Sequence, residues 1–289
     1  MTSLSAYLLV SHGSRDSRPQ IAVERLAYLV CQQLQMRVTF PQLVSTYRLH
    51  SEELNIEKTC TSTTLISKPP SPLVGTASLE LAPLPLHESI QQFAHKAQTI
   101  GVKRIQILPL FLLPGVHVKQ DIPREVTIAQ QFLGEELVLE LRPHLGSYTG
   151  MKTLLENQFD QISAQGRILL SHGSRRLNGN KSCEALALQL GAIPAYWSVS
   201  PSLATQIAVL AAGGKKTIAI QQYFLFAGGI TEAIATKVQH LQQVFPTVRL
   251  LLSQPLGVTA ELANLIVEGI KGEVEEDEST KDMTMFGRM

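Results

Sequence analysis

Two histidines and one glutamate occur where neighbouring strands are predicted to end. His12 follows the apolar run Tyr7–Val10 after one residue, His117 follows the run Ile105–Leu113 after three, and Glu80 ends a third short apolar stretch. Ligands bind at the carboxyl ends of the strands in a parallel sheet, so we expect these side chains to share one cleft. Two imidazoles and a carboxylate suit a divalent metal such as Fe²⁺, Co²⁺, Ni²⁺ or Zn²⁺. Taken singly, each is more often an ordinary turn or surface residue.

The segments that must position these residues alternate between strand and helix patterns. An amphipathic stretch at residues 20–35 predicts a helix after His12, and Val38–Val44 is interpreted as a second strand. The apolar spacing of His87–Ile100 predicts a second helix. Leu137–Leu141 and Thr149–Ile162 follow as a fourth strand and a closing helix. This order predicts an α/β fold with a parallel sheet between flanking helices.

The chain repeats itself, which indicates a tandem duplication of one α/β unit. LLVSHGSR at residues 8–15 matches ILLSHGSR at residues 168–175 in six of eight positions. GVKRIQILPLFLLPG at residues 101–115 matches GKKTIAIQQYFLFAG at residues 214–228 in seven of fifteen. The blocks come in the same order in both halves.

The repeats divide the chain into two lobes of unequal content. Residues 1–145 form the predicted N-terminal lobe with the active site, and residues 146–270 form a degenerate C-terminal repeat lobe. Residues 51–75 are rich in Ser, Thr, Lys and Pro and are predicted to be a surface loop or disordered insert. Residues 271–289 are acidic and aperiodic, which predicts a disordered tail.

The second half does not repeat the metal-ligand pattern. His172 is the repeat partner of His12, but the repeat position of His117 is Ile230. No glutamate occurs at residues 195–199, where a counterpart of Glu80 would fall. We therefore expect the chemistry in the first half, with His172 a relic.

Composition narrows the classes of partner. Apolar residues make up 44% and charged residues 17% of the 289 residues, enough to bury a core. The net charge of +1 lacks the basic excess of a general nucleic-acid binder. No apolar run would span a bilayer, and the first residues do not form a signal peptide. Cys31, Cys60 and Cys183 are far apart, which fits a reducing compartment. We expect a cytoplasmic protein without nucleic-acid or membrane partners.

Three segments resemble the sirohydrochlorin chelatases of the class II, ATP-independent chelatase group. They are the strand with SHGSR, the SLEL segment around Glu80, and PLFLLPGVHVKQDIP around His117, and the resemblance covers roughly residues 5–270 apart from the insert. It implies two flavodoxin-like lobes related by pseudo-symmetry, with a cleft between them. It also implies insertion of Fe²⁺ or Co²⁺ into sirohydrochlorin without ATP. The long single chain is similar to the siroheme branch, which implies Fe²⁺ and a monomer.

The resemblance also assigns roles to residues. It makes His12, His117 and Glu80 both the catalytic residues and the metal ligands, although the family more often has an aromatic or bulky apolar residue before Leu-Glu. One histidine would accept a pyrrole proton while the other delivers the metal. The metal is then a substrate, and no cofactor is permanently bound. Ligation requires neutral imidazoles, so activity is expected to fall below about pH 6.

Residues near the two histidine motifs are candidate contacts for the substrate. The implied substrate carries many carboxylates, which cations bind well. The nearby cations are Arg15, Arg18, Lys119 and Arg124. Leu113 and Pro114, with Leu112 and Val116, could form an apolar wall for the ring. Taken singly, each of these cations is more often an ordinary surface residue.

Three other functions stay open. The metal could be Co²⁺ or Ni²⁺ for a cobalamin-type cofactor, because imidazole and carboxylate accept all these ions. The protein could be a carrier that binds a tetrapyrrole or metal without turnover, although simple ring binding needs no metal ligands. A histidine phosphotransfer enzyme could also place His-Gly after a strand, but Ser11 stands where an arginine would be expected.

Overall fold

In the part of the chain that the structure describes, eight strands form two parallel sheets of four. The computed structural model describes residues 5–43 and 72–272. The first sheet has the order β2-β1-β3-β4 and the second β6-β5-β7-β8. The first contains β1 (Ser5–Ser11), β2 (Leu73–Ser78), β3 (Arg104–Pro109) and β4 (Val138–Leu141). The second contains β5 (Gly166–Ser171), β6 (Ile193–Tyr196), β7 (Thr217–Gln222) and β8 (Arg249–Leu252).

Helices connect the strands and cover both faces of each sheet. They are α1 (Ser17–Leu43), α2 (Leu86–Thr99), α3 (Ile122–Leu133), α4 (Gly150–Asp160), α5 (Lys181–Gln189), α6 (Leu203–Ala212), α7 (Gly229–Val244) and α8 (Ala260–Lys271). A π-helical turn, His117–Asp121, precedes α3, and a 3₁₀ turn, Leu145–Ser147, follows β4. None of the described helices combines the length and the apolar character needed to cross a bilayer.

The central strands are apolar on both faces because each face is covered. In β1, Leu8 and Val10 pack into the outer core of the first lobe, which α2 and α3 complete. Leu9, between them, points the opposite way into a core that contains residues of both sheets and of α1, α4 and α8. Alternate residues of a strand face opposite sides, so β1 contributes to two cores at once. The lobes therefore share a common apolar core.

The predicted fold class is confirmed. Each half gives a parallel four-stranded sheet with the same strand order, and flanking helices complete each lobe. The helices predicted at residues 20–35, His87–Ile100 and Thr149–Ile162 correspond to α1, α2 and α4. The repeated SHGSR blocks follow the equivalent strands β1 and β5.

The position predicted for the second strand is wrong. Within the described residues, Val38 onwards continues α1 to Leu43, because the helix begun upstream overrides the local strand preference of Val, Thr and Phe. The second strand is β2, so residues 73–75 belong to the sheet rather than to the insert. Gly75 in this strand is a packing requirement, because a Cβ there would lie 2.4 Å from the Phe93 ring. Residues 51–71 of the predicted insert lie outside the described residues. The tail was predicted to begin at Lys271, but this residue ends α8. The tail from residue 273 lies outside the described residues.

A buried arginine joins the first sheet to the last helix. Arg142 follows β4, and its side chain is 6% exposed. It is paired with Glu140 at 2.7 Å and donates to the carbonyl oxygen of Gly269 at 2.8 Å and to that of Gly272. Carbonyls at a helix C-terminus carry a partial negative charge, so the guanidinium is well placed there.

We expect Arg142→Ala to lower the free energy of unfolding by about 2–3 kcal/mol, because it leaves the carbonyl groups of Gly269 and Gly272 without their charged donor. It also removes one of the two arginine partners of the partly buried Glu140. Urea denaturation measures the change. Arg249→Ala, at an exposed arginine of β8, is the control and should be nearly neutral. Equal midpoints for the two variants would contradict this role for Arg142.

Candidate metal centre

Three adjacent strands bring the predicted ligands to one edge of the first sheet. His12 directly follows β1, Glu80 lies two residues beyond β2, and His117 opens the π-helical turn after β3. Because β1 pairs in parallel with both β2 and β3, the carboxyl ends of all three meet at this edge. The strand order therefore places His12 between the other two residues.

Backbone pairing continues past the strand ends and fixes His12 beside Glu80. The amide of Leu79 donates to the carbonyl oxygen of Ser11, and the amide of Glu80 donates to that of His12, both at 2.9 Å. Gly13 allows this approach: its φ is 96°, and a Cβ there would lie 1.9 Å from the carbonyl oxygen of Glu80. The glycine of SHGSR is thus required both by its backbone conformation and by the closeness of the next loop.

The three side chains converge. Their ligand atoms all lie within 4.8 Å of one another, and His12 Nε2 is 4.0 Å from Glu80 Oε2. The two imidazole rings meet edge to face, with centroids 4.8 Å apart. Ligands on one metal ion are about 3–3.5 Å apart, so small side-chain rotations would close the set. Within the described residues this is the one group of three or more His, Cys, Asp or Glu side chains with metal-ligand spacing.

Two further residues shape this group. His117 Nδ1 is 2.8 Å from Asp121 Oδ2, across the π-helical turn, which leaves Nε2 for a ligand. Phe111 lies against both imidazoles, with ring centroids 6.2 Å from His12 and 6.1 Å from His117. The sequence analysis missed both residues. The spacing of four between His117 and Asp121 would have been a signal, had a helical turn been expected there.

A third imidazole occurs at the same edge. His144 follows β4, and the sequence analysis gave it no role. Burial, with a smaller contribution from the positive charge of Lys119, lowers the pKa of His144 to about 4. This imidazole is therefore neutral across the physiological range.

The four predicted substrate cations fall into different environments. Arg15 and Lys119 are exposed and form no salt bridge within the described part of the chain. Arg124 is also exposed, on α3, with a contact of 3.5 Å to Glu125. Arg18 differs, because its guanidinium is already bound by Asp16 of its own loop and by Glu232 of the second lobe. Arg18 is thus an inter-lobe contact rather than a free cation.

The residues predicted to form an apolar wall for the ring do not all lie in one place. Leu112 and Leu113 pack against the core shared by the lobes and line an inter-lobe cavity of about 210 Å³ with Tyr223. Pro114 and Val116 are half-buried beside them in the sequence. Of this segment, Phe111 is the residue in ring contact with the two histidines. The apolar surface nearest the candidate ligands therefore begins one residue earlier than expected.

The second lobe repeats the backbone of the centre without its ligands. The amide of Ser198 donates to the carbonyl oxygen of His172 at 2.9 Å, as Glu80 does to His12. Ser198 therefore stands where the first lobe has the glutamate. Ile230, at the repeat position of His117, is an exposed residue in the first turn of α7.

Comparisons with known proteins agree with this duplicated architecture. SirB from Bacillus subtilis with Fe³⁺ is 20% identical and has a TM-score of 0.67, covering 96% of this chain and 98% of that one. SirB from Bacillus subtilis subspecies spizizenii in complex with cobalt, described as a sirohydrochlorin chelatase, is 20% identical with a TM-score of 0.61 over the same shares. CbiX, described as the terminal enzyme for biosynthesis of siroheme in denitrifying bacteria, is 19% identical with a TM-score of 0.55, covering 92% and 98%.

At these identities the solved structures establish the fold. A search of curated protein sequences found no match. The family model for CbiX matches residues 57–162 and again residues 166–273, one match in each half. Together the two matches span most of the sequence, and the chain belongs to the CbiX family.

Proposed function

We propose that this protein is a sirohydrochlorin chelatase that inserts Fe²⁺ into the macrocycle without ATP. The observation that carries the proposal is the convergence of His12, Glu80 and His117 at the carboxyl edge of the first sheet. Family membership supports it, as do the relatives whose descriptions name this activity. A protein that bound only the ring would have no use for three converging metal ligands.

The two histidines have different surroundings, which suggests a division of labour. His117 is oriented by Asp121, so its Nε2 is the better-positioned metal ligand. His12 has Glu80 at 4.0 Å and a side chain that is 50% exposed. We assign two successive roles to His12. Its neutral imidazole first holds the metal ion together with Glu80 and His117, and after the ion has passed to the ring it accepts a pyrrole proton. The carboxylate of Glu80 then stabilises the resulting positive charge. Insertion releases two pyrrole protons for each metal ion, and solvent at this exposed edge takes them up.

The substrate carboxylates need cationic partners that are free. Arg15 follows His12 by three residues and Lys119 follows His117 by two, and neither is in a salt bridge within the described residues. We propose these two as carboxylate contacts, with Arg124 farther along α3. Phe111, with Pro114, would face the apolar part of the ring.

The proposed metal follows from the architecture of the chain rather than from its ligand types. Imidazole and carboxylate bind Fe²⁺ and Co²⁺ alike, and the relatives' descriptions mention both iron and cobalt. Fe²⁺ is proposed because the long, duplicated chain is similar to the siroheme branch. Cobalt insertion is the second candidate.

We expect His117→Ala to reduce enzyme-catalysed insertion at least 100-fold while the fold is kept, because a ligand at the centre is lost. Anaerobic assays with sirohydrochlorin and Fe²⁺, Co²⁺ or Ni²⁺, followed by the absorption change, measure this and rank the metals. His172→Ala, at the repeat position of His12, is the control and should retain near-normal turnover.

Three results would contradict these assignments. Near-normal turnover of His117→Ala would remove this residue from the mechanism. A loss in His172→Ala as deep as in His12→Ala would mean that the second lobe is catalytic. Ring binding by the wild type without turnover for any metal would favour the carrier function.

Asp121 should set the metal affinity through His117. Its carboxylate at 2.8 Å from Nδ1 holds the proton on that nitrogen and directs Nε2 towards the other ligands. Asp121→Ala is therefore expected to weaken Co²⁺ binding by about 10- to 100-fold. Equilibrium titration by visible absorption measures the dissociation constant.

A matched control lies four residues after Asp121, on α3. It is Glu125, whose Oε2 pairs with His87 Nδ1 at 2.7 Å. Glu125→Ala breaks a histidine–carboxylate pair of the same kind away from the centre, so it should leave Co²⁺ affinity unchanged. Equal weakening in the two variants would show that Asp121 acts through the stability of α3 rather than through His117.

A further inference from the structure

The second lobe contacts both loops that carry the candidate histidine ligands. Arg18 lies six residues after His12, and its Nη1 donates to Glu232 Oε1 in the first turn of α7. Tyr223, directly after β7, donates its hydroxyl to the carbonyl oxygen of Leu112 at 3.2 Å, in the segment between β3 and His117. Each histidine loop thus has one polar contact from the opposite lobe.

The loop after His12 is folded around one carboxylate. Asp16 accepts hydrogen bonds from the backbone amide and Nε of Arg18, both at 3.0 Å, and from Nη2 at 2.6 Å. The amide of Asp16 itself donates to Ser14 Oγ at 3.0 Å. Glu232 then binds the remaining face of the Arg18 guanidinium. The short stretch from Ser14 to Arg18 is therefore one unit, held to the second lobe by a single glutamate.

Tyr223 differs from its repeat counterpart in the first lobe, and the difference provides a contact with the first lobe. Its amide donates to the carbonyl oxygen of Leu170, as the amide of Leu110 donates to that of Val10, so Leu110 is its counterpart. Its side chain is buried, and burial raises the pKa of a phenol that is already protonated at neutral pH, so the hydroxyl is available as a donor. An apolar residue would fill this place equally well if the core alone mattered.

The ion pair also runs in one direction only. At the repeat position of Arg18 the second lobe has Asn178, and at the repeat position of Glu232 the first lobe has Lys119. The reciprocal pair, in which the first lobe would hold the loop after His172, therefore does not exist. The second lobe, which lacks the set of candidate ligands, therefore holds a loop of the first lobe, which has it.

We propose that the second lobe is a positioning element for the metal centre, acting through Glu232 on the His12 loop and through Tyr223 on the His117 loop. Neither residue touches the ligands; each fixes the backbone segment that carries one. The inference rests on the proposed function only in taking the two imidazoles as the metal-binding groups. It assigns a role to a lobe that has lost its own ligands.

Glu232→Ala tests the first contact, with Asp160→Ala as a matched control. Asp160 also pairs with an arginine, Arg167, and both carboxylate side chains are 61% exposed. We expect Glu232→Ala to shift the imidazole NMR resonances of His12 in the metal-free protein and to weaken Co²⁺ binding about two- to tenfold. Asp160→Ala should change neither. The double variant with Arg18→Ala and Glu232→Ala should bind Co²⁺ no more weakly than Arg18→Ala alone, because the two residues act through the same ion pair.

Tyr223→Phe tests the second contact, since it removes only the hydroxyl. We expect the resonances of His117 to shift more than those of His12, which lies edge to face against it, and kcat to fall. Unaltered resonances in both Glu232→Ala and Tyr223→Phe, or multiplicative effects of the Arg18 and Glu232 substitutions, would overturn the inference. The NMR comparison is independent of turnover. A wild type that inserts no metal would therefore refute the proposed function alone, whereas normal insertion with silent variants would refute the positioning role alone.

Discussion

The pairing of β1 with β2 beyond their last residues is the constraint on which the centre depends. Two backbone hydrogen bonds hold the residues after the strands in register, so His12 and Glu80 are adjacent because of the main chain. Gly13 makes this possible, since any side chain there would collide with the carbonyl oxygen of Glu80. The imidazole and the carboxylate thus start from fixed positions, and only side-chain rotation separates them from a metal-binding geometry.

The third candidate ligand is positioned in a different way. His117 opens a π-helical turn rather than ending a strand, and the turn brings Asp121 to its Nδ1. Turns of this kind are rare and occur often at functional sites. The carboxylate fixes which nitrogen faces the other ligands, and Phe111 limits where both rings can lie. The centre is therefore rigid on the side of His117 and more open on the side of His12.

Duplication produced two lobes that now differ in content but not in framework. The second lobe keeps the strand order and the hydrogen bond from Ser198 to His172, while Ser198 and Ile230 stand at the positions of two candidate ligands. A core common to both lobes, built partly from α1 and α8, keeps them together. When two lobes share a core, one lobe can support a site that lies in the other. The contacts of Glu232 and Tyr223 with the loops that carry His12 and His117 are of this type.

The sequence by itself determined the class of fold, the duplication, and the three residues expected to meet. Periodicity and repeated motifs can be read directly from the chain, without knowledge of its long-range contacts. Parallel strands bring their carboxyl ends together in any such sheet. The sequence prediction was wrong at Val38–Val44, where helix propagation outweighed strand preference, and at residues 73–75, which pair with β1 instead of belonging to the insert. Only the tertiary structure decided that Arg18 is bound by Glu232, that Leu112 and Leu113 belong to the shared core, and that Asp121 supports His117. These are contacts between segments distant along the chain or across an unexpected turn, and no local pattern specifies them.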